Sequence, residues 1–153
     1  MNKQFKTFLV AVLFLALSGS LYAQEKAQEN HGNTLNAFVK FGSNSSIGAF
    51  YEFQVHPDIT VSPEARIWFG GDKKMAIGGR ADYYFDRIFK LAEPWDIWGG
   101  AGIGLLIQDD NDDTIDFNIH AGGEYKFNET WGLILEIGGG SAFSGGLGVG
   151  IHF

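Results

Sequence analysis

Apolar and polar residues alternate with a period of two through most of the chain after residue 33. The clearest stretch lies between Thr114 and Asn128. Its odd positions are mostly apolar, and its even positions are mostly polar or glycine: Asp116, Asn118, His120, Gly122, Glu124 and Lys126. Strict alternation over this length predicts a β-strand with one apolar and one polar face, because no helix has this period.

The same alternation returns in seven further segments, at 35–41, 47–55, 59–69, 75–85, 97–107, 132–137 and 147–153. The pattern therefore predicts eight strands. Their connections alternate in character as well. Tight turns at 56–58 and 128–130 fall between more open polar loops at 42–46, 70–74, 108–113 and 138–145. The long connection from 86 to 95 departs from this rule, and we predict a helical turn at 87–91 within it.

The composition of the polar face decides between two kinds of barrel. A soluble barrel such as a lipocalin directs apolar side chains inward, whereas a transmembrane barrel directs them toward lipid. Here the polar face has few polar side chains and many glycines. A surface in contact with water would therefore have few groups that hydrogen-bond to it. Aromatic residues mark the strand ends on the apolar face, as interfacial girdles require: Phe41, Phe53, Phe69, Phe85, Tyr125, Phe127 and Phe153. We predict an all-β fold, an eight-stranded antiparallel transmembrane β-barrel.

The N-terminus has the order of a secretory signal peptide. Lys3 and Lys6 precede an apolar run at 8–17, which is too short to span a bilayer, and small residues lead to Ala23. We predict a signal peptide at 1–23, cleaved after Ala23, a short polar leader at 24–32 and one barrel domain at 33–153. Export from the cytoplasm follows from this organisation.

Charge and cysteine content exclude several classes of function. Removing Lys3 and Lys6 from the 11 basic residues leaves 9 against 18 acidic ones, a net charge of −9, which disfavours nucleic acid as a partner. The chain has no cysteine, so disulfides, thiolate metal sites and thiol nucleophiles are excluded.

Three stretches resemble the small outer-membrane β-barrel proteins of Gram-negative bacteria, the group that includes the barrel domain of outer membrane protein A. They are the hairpin YEFQVHPDITVSPEARIWF, the segment GGEYKFNETWGLILEI and the alternating strand that ends on Phe153. The resemblance implies a monomer in the outer membrane, in contact with lipid and lipopolysaccharide. It also implies periplasmic chaperones and the barrel-assembly machinery as partners during biogenesis, with Leu147, Val149, Ile151 and Phe153 as the C-terminal assembly signal.

The inward face carries charges of both signs. Eight strands enclose an interior that side chains just fill, so we predict a mutually paired polar core and no open pore. Within it, Asp82, Glu124 and Glu136 are expected to share Arg80 or Lys126. The residues assigned to this interior network are Lys40, Glu52, Glu64, Arg66, Arg80, Asp82, Asp116, His120, Glu124, Lys126 and Glu136.

No enzymatic site emerges from the spacing of reactive residues. His120 has no serine two positions on, His152 lies near a strand end, and His31 and His56 lie outside the strands. No nucleophile and base can be paired, so we predict neither enzymatic activity nor a cofactor.

Two loops have unusual compositions. The acidic loop contains Asp109, Asp110, Asp112 and Asp113, which would either bind Ca²⁺ or Mg²⁺ or remain a solvated tip; its spacing does not fit an EF-hand. The glycine-rich stretch at 138–146 is predicted to be a flexible loop. The sequence favours a structural or surface-interaction role, with a narrow porin-like channel as the alternative and a lipid-modifying enzyme as a third candidate.

Overall fold

The computed structural model describes residues 31–41, 45–69, 73–108, 113–143 and 145–153; of Lys73 and Lys74, only the backbone is described. The predicted signal peptide and most of the leader therefore lie outside the described residues. So do Asp109, Asp110 and Asp112 of the acidic loop, whereas Asp113 is described and exposed.

Eight antiparallel strands form one closed barrel in which each strand pairs with its neighbours in sequence. They are β1 (Thr34–Lys40), β2 (Ser45–His56), β3 (Ile59–Phe69), β4 (Lys73–Tyr84), β5 (Trp95–Gln108), β6 (Thr114–Lys126), β7 (Trp131–Gly139) and β8 (Gly146–His152). β8 closes the barrel against β1, with Thr34 opposite His152 and Val39 opposite Leu147. Closure pairs what would otherwise be two open sheet edges. The predicted fold class is confirmed.

The two ends of the barrel differ in their connections. One end carries the β2–β3 and β6–β7 turns, the start of β1 at Thr34 and the end of β8 at His152. We call it the turn end, and we call the opposite end the loop end. The connection after β4 also lies at the turn end. It contains α1 (Asp86–Phe89), so the predicted helical turn is present and begins one residue earlier than expected.

The two faces of the wall have opposite chemistry. Large apolar side chains on the outer face are exposed, including Phe117, Ile119 and Ile137 at 72, 73 and 70%. A water-soluble monomer rarely exposes so much contiguous apolar surface, whereas lipid accepts it. Aromatic pairs such as Tyr83–Phe85 and Trp95–Tyr125 lie on the outside near the turn end, where a membrane interface would meet the barrel. Among the described residues, no helix has the length and apolar character to cross a membrane.

Inward glycines make space for large side chains. A Cβ atom at Gly122 would lie 2.5–2.9 Å from three atoms of the Trp98 indole, a separation that real Cβ atoms do not adopt. Phe38, Phe50, Tyr84, Trp98 and Ile134 form one buried cluster inside the barrel. The alternation of glycine with bulky residues therefore has a direct steric reason, because each inward glycine leaves the volume that a neighbouring ring fills.

Candidate functional site: the filled interior of the barrel

A buried network of charges crosses the middle of the barrel. Arg80 on β4 donates from Nε and Nη2 to both carboxylate oxygens of Asp82, at 2.7 and 2.9 Å, and from Nη2 to Oε2 of Glu136 at 2.6 Å. The side chains of Arg80 and Asp82 are 1% exposed. Because Glu136 is on β7, which does not neighbour β4, the guanidinium spans the lumen and does not follow the wall.

Further contacts satisfy the same carboxylates. Nε2 of His120 lies 2.6 Å from Oδ1 of Asp82, and Trp98 donates from Nε1 to Glu136 at 3.2 Å. The guanidinium carbon of Arg80 lies 4.1 Å from the centre of the Phe50 ring, which covers one face of the cation. We call Arg80, Asp82, Trp98, His120 and Glu136 the central network. Its charges are paired at hydrogen-bonding distance, as burial in a low dielectric demands.

A second hydrogen-bonded group surrounds Glu52, nearer the turn end. Its Oε1 accepts from Tyr84 Oη at 2.6 Å and from Thr60 Oγ1 at 3.1 Å, and its Oε2 accepts from Asn36 Nδ2 at 2.8 Å. All four side chains are buried. The hydrogen-bond donors to Glu52 are therefore uncharged, whereas Asp82 and Glu136 accept from the charged guanidinium of Arg80.

Apolar residues close the loop end. Trp68, Ala76, Leu106, Ala142 and Phe143 form a buried cluster, which we call the loop plug. Asp116 fixes the chain that carries Phe143, since its Oδ2 accepts from the backbone N–H groups of Ser141 and Ala142 at 2.5 and 2.6 Å. A Cβ atom at Gly104 would meet the Phe143 ring, so the glycine makes room for this plug. The loop predicted at 138–146 is shorter than expected, because β7 continues to Gly139 and β8 begins at Gly146. Within the loop, Ala142 and Phe143 are 0 and 2% exposed.

The turn end is closed by charged groups. Asp58, Asp86 and Asp96 are buried there at 4, 3 and 2% exposure. Arg87 is paired with Asp58, and Nζ of Lys126 lies 2.7 Å from Oδ2 of Asp96. His31 stacks on Tyr84 with ring centres 3.9 Å apart. Burial lowers the pKa of His31 from its usual 6.5 to about 4, against the opposing effect of nearby Asp96. His31 is therefore neutral at neutral pH.

The structure distributes the predicted interior residues over several groups. Arg80, Asp82, His120 and Glu136 meet in the central network, Glu52 has its own donors, and Glu64 and Arg66 lie 3.9 Å apart. Glu124 contacts His152 at 2.9 Å and not Arg80, while Lys126 contacts Asp96, which the predicted network does not include. Lys40 and Asp116 are only half-buried.

Sequence reasoning also missed several interior residues at the turn end. Asp58, Asp86 and Asp96 have the same parity as the inward residues of β3, β4 and β5, so extending the alternation past the predicted strand ends would have identified all three. His31 follows no such pattern. His31 and Gly32, at the end of the predicted leader, are buried.

The exposed outer wall and the polar, filled interior together define a transmembrane β-barrel. No family model matches the sequence, and the search of curated proteins finds no match. Solved structures do match the fold. The N-terminal β-barrel domain of OprF from Pseudomonas aeruginosa superposes with a TM-score of 0.63 at 19% identity, over 80% of this chain and 98% of that domain. A de novo designed transmembrane β-barrel superposes with a TM-score of 0.55 at 18% identity, with the same coverage of each chain. At these identities, the similarity is one of fold.

Proposed function

We propose that this protein is a small outer-membrane barrel with a structural or surface-interaction role, and that its interior is plugged. The observation that carries this proposal is the Arg80 side chain, which is 1% exposed and bonded to carboxylates on two strands that face each other across the lumen. A cation held in this way occupies the space that a water column would need. The loop plug on one side and the buried carboxyl groups on the other add further filled layers.

The proposal also gives the barrel an orientation. Outer-membrane barrels place short turns in the periplasm and longer loops outside the cell. The turn end would then face the periplasm, where a cleaved signal peptide would deliver the chain. The four loop-end connections would face outward, available to lipopolysaccharide or to a surface partner. The interior histidines favour a non-catalytic role. His120 contacts the carboxylate of Asp82. His152 lies 3.2 Å from the hydroxyl of Thr34 and 2.9 Å from Glu124, but Thr34 is only 1% exposed, so a substrate would not reach that hydroxyl.

Single-channel recording in a planar bilayer tests the plugged interior. Purified protein should produce no conductance steps at about 1 M KCl, because side chains block each layer of the lumen. A pore-forming peptide added afterwards to the same bilayer is the control for a working membrane. Reproducible steps from the wild-type barrel would contradict the proposal and favour a narrow channel.

We further propose that the last strand is the assembly signal. Leu147, Val149 and Phe153 face outward with exposures of 45, 37 and 76%, and Ile151 shares their face. Deleting Phe153 or introducing Phe153→Asp should abolish accumulation of folded barrel in the outer-membrane fraction, measured by fractionation and heat-modifiability gels. Phe127→Asp is the matched control, since Phe127 is an exposed aromatic residue at the same end, 56% exposed. Equal yields of the Phe153 and Phe127 variants would contradict a specific signal.

A further inference from the structure

Three potential metal ligands meet at the turn end although they come from separate parts of the chain. His31 precedes β1, Asp86 is the first residue of α1, and Asp96 is the second residue of β5. One ligand atom from each lies within 4.8 Å of the other two, and all three residues are buried. We call these residues the turn-end cluster.

We propose that the turn-end cluster binds one divalent transition-metal ion. Nε2 of His31 lies 3.7 Å from Oδ2 of Asp86, and its Nδ1 lies 4.0 Å from Oδ2 of Asp96. Both distances are too long for hydrogen bonds. The two distances start from different ring nitrogens, and an imidazole gives only one nitrogen to an ion, so they show two carboxylates beside one ring. One ligand atom from each of the three residues lies within 4.8 Å of the other two. A small contraction would bring these atoms to the roughly 3–4 Å that separates donors lying about 2.0–2.2 Å from one zinc ion.

An independent observation points to a missing partner. The His31 side chain is 3% exposed, and its Nδ1 makes no hydrogen bond to any described residue. Buried ring nitrogens are normally satisfied, so an imidazole nitrogen left unsatisfied at this depth requires an explanation. The stacking on Tyr84 fixes the plane of the ring. The backbone beside it is also fixed, since Asn33 N–H donates to the Glu52 carbonyl at 2.9 Å. The unsatisfied nitrogen is thus held in one place.

The carboxylate of Asp86 is oriented in a similar way. Its Oδ1 accepts from the backbone N–H of Ile97 at 2.9 Å, which directs Oδ2 toward His31. Metal sites commonly use such outer contacts to fix the orientation of their ligands. One imidazole and two carboxylates suit Zn²⁺, Mn²⁺, Co²⁺ or Ni²⁺, whereas Ca²⁺ and Mg²⁺ prefer oxygen ligands alone. Three protein ligands leave coordination positions for water.

Lys126 would compete with a metal ion for Asp96. Its ammonium group lies 2.7 Å from Oδ2 of Asp96, and its side chain is 19% exposed. Lys126 also lines a cavity of about 480 Å³ at the turn end, together with Gly32, Glu93 and His152. The cavity adjoins the cluster through Gly32, next to His31, and through Lys126, so the lysine side chain has space to turn away from Asp96. Metal binding would exchange one positive group for another and would tie the segment before β1 to α1 and β5.

Metal titration of the folded barrel in detergent, carrying no polyhistidine tag, tests the site. Calorimetry with Zn²⁺ and visible absorption with Co²⁺ should each report one ion per chain. His31→Ala and Asp86→Asn should weaken binding at least about a hundredfold, because loss of outer contacts alone costs about 10–100-fold. Lys126→Met should bind Zn²⁺ more tightly than wild type, since the competing ammonium group is gone. His56→Ala is the matched control and should bind as wild type does, because His56 is the last residue of β2, has a side chain that is 55% exposed and lies outside the cluster.

Several outcomes would overturn the proposal. They are no Zn²⁺ or Co²⁺ binding by wild type, binding unchanged in His31→Ala and Asp86→Asn, or binding lost in His56→Ala, which would identify a surface site. Folding is checked for each variant by heat-modifiability gels. If His31→Ala does not fold, Asp86→Asn decides the matter, because asparagine keeps the oxygen that accepts from Ile97. This test is independent of the conductance test, since either result can be obtained without the other.

Discussion

The middle of the barrel and its turn end both bury charged side chains, but they hold them differently. In the central network, Arg80 contacts carboxylate oxygens at 2.6–2.9 Å, and every charged member comes from a strand. In the turn-end cluster, the imidazole lies 3.7 and 4.0 Å from its carboxylates, and two of three members come from outside the strands. The same chemical groups thus form a closed ion-pair network in one place and an open ligand set in the other.

The difference also extends to the cations. The Arg80 side chain is 1% exposed, whereas Arg87 and Lys126 at the turn end are 67 and 19% exposed. A buried guanidinium cannot leave without stranding its carboxylates, but a solvated one can exchange with water or ions. We therefore expect the ion pairs of the middle to contribute more to stability than those of the turn end.

The largest expected effect comes from removing the central cation. Arg80→Met should lower the free energy of unfolding by about 3–5 kcal/mol, because Asp82 and Glu136 remain buried without their partner. Arg87→Met, at the turn end, should lower it by only about 0–1 kcal/mol. Its partner Asp58 is buried, but the Arg87 side chain that covers it is 67% exposed, so water can take the place of the guanidinium. Urea unfolding in detergent, followed by tryptophan fluorescence, measures both. Similar losses in the two variants would remove the distinction between the regions.

A smaller difference is expected between two carboxylates. Asp82→Asn should lower the free energy of unfolding by about 2–3 kcal/mol. The carboxylate that it removes accepts hydrogen bonds from Nε and Nη2 of Arg80 and contacts His120. Asp96→Asn should change stability by less than about 1 kcal/mol. Asp96 is buried, but Lys126 is 19% exposed and can turn its ammonium group toward solvent once the charge of Asp96 is gone. The same unfolding assay, performed with a chelator so that no metal contributes, makes the comparison. A larger loss for Asp96→Asn would show that the turn end is the tighter region.

The middle of the barrel is more predictable from the sequence than its ends, and the reason is physical. Within strands, the period of two assigns each side chain to a face, and the composition of the two faces places Arg80, Asp82 and Glu136 inside the barrel. Their partners could not be predicted, because Arg80 meets Glu136 across the lumen, between strands that do not pair. Alternation says which side a residue faces but not how far a long side chain reaches.

At the ends of the barrel the alternation stops, and tertiary contacts determine which residues are buried. The predicted polar leader includes His31, yet packing against Tyr84 buries this residue. Phe143 stands in a glycine-rich stretch whose composition indicates flexibility, yet the space beside Gly104 accepts its ring. Neither contact leaves a periodic signal in the sequence. The apolar loop plug and the position of His31 among the charged groups of the turn end could therefore not be predicted from the sequence pattern.

The smallest expected effect is the response to salt, and it separates the two regions without a new mutation. The Debye length falls from about 10 Å at 0.1 M to about 3 Å at 1 M, so exposed charge pairs weaken while buried pairs do not. Raising NaCl over this range should remove most of the stability difference between Arg87→Met and wild type. The difference for Arg80→Met should stay constant within about 0.5 kcal/mol, because water and ions do not reach a guanidinium that is 1% exposed. Urea unfolding at the two salt concentrations provides the measurement. A salt-dependent loss for Arg80→Met would mean that electrolyte enters the middle of the lumen, and the plugged interior would then have to give way to a channel.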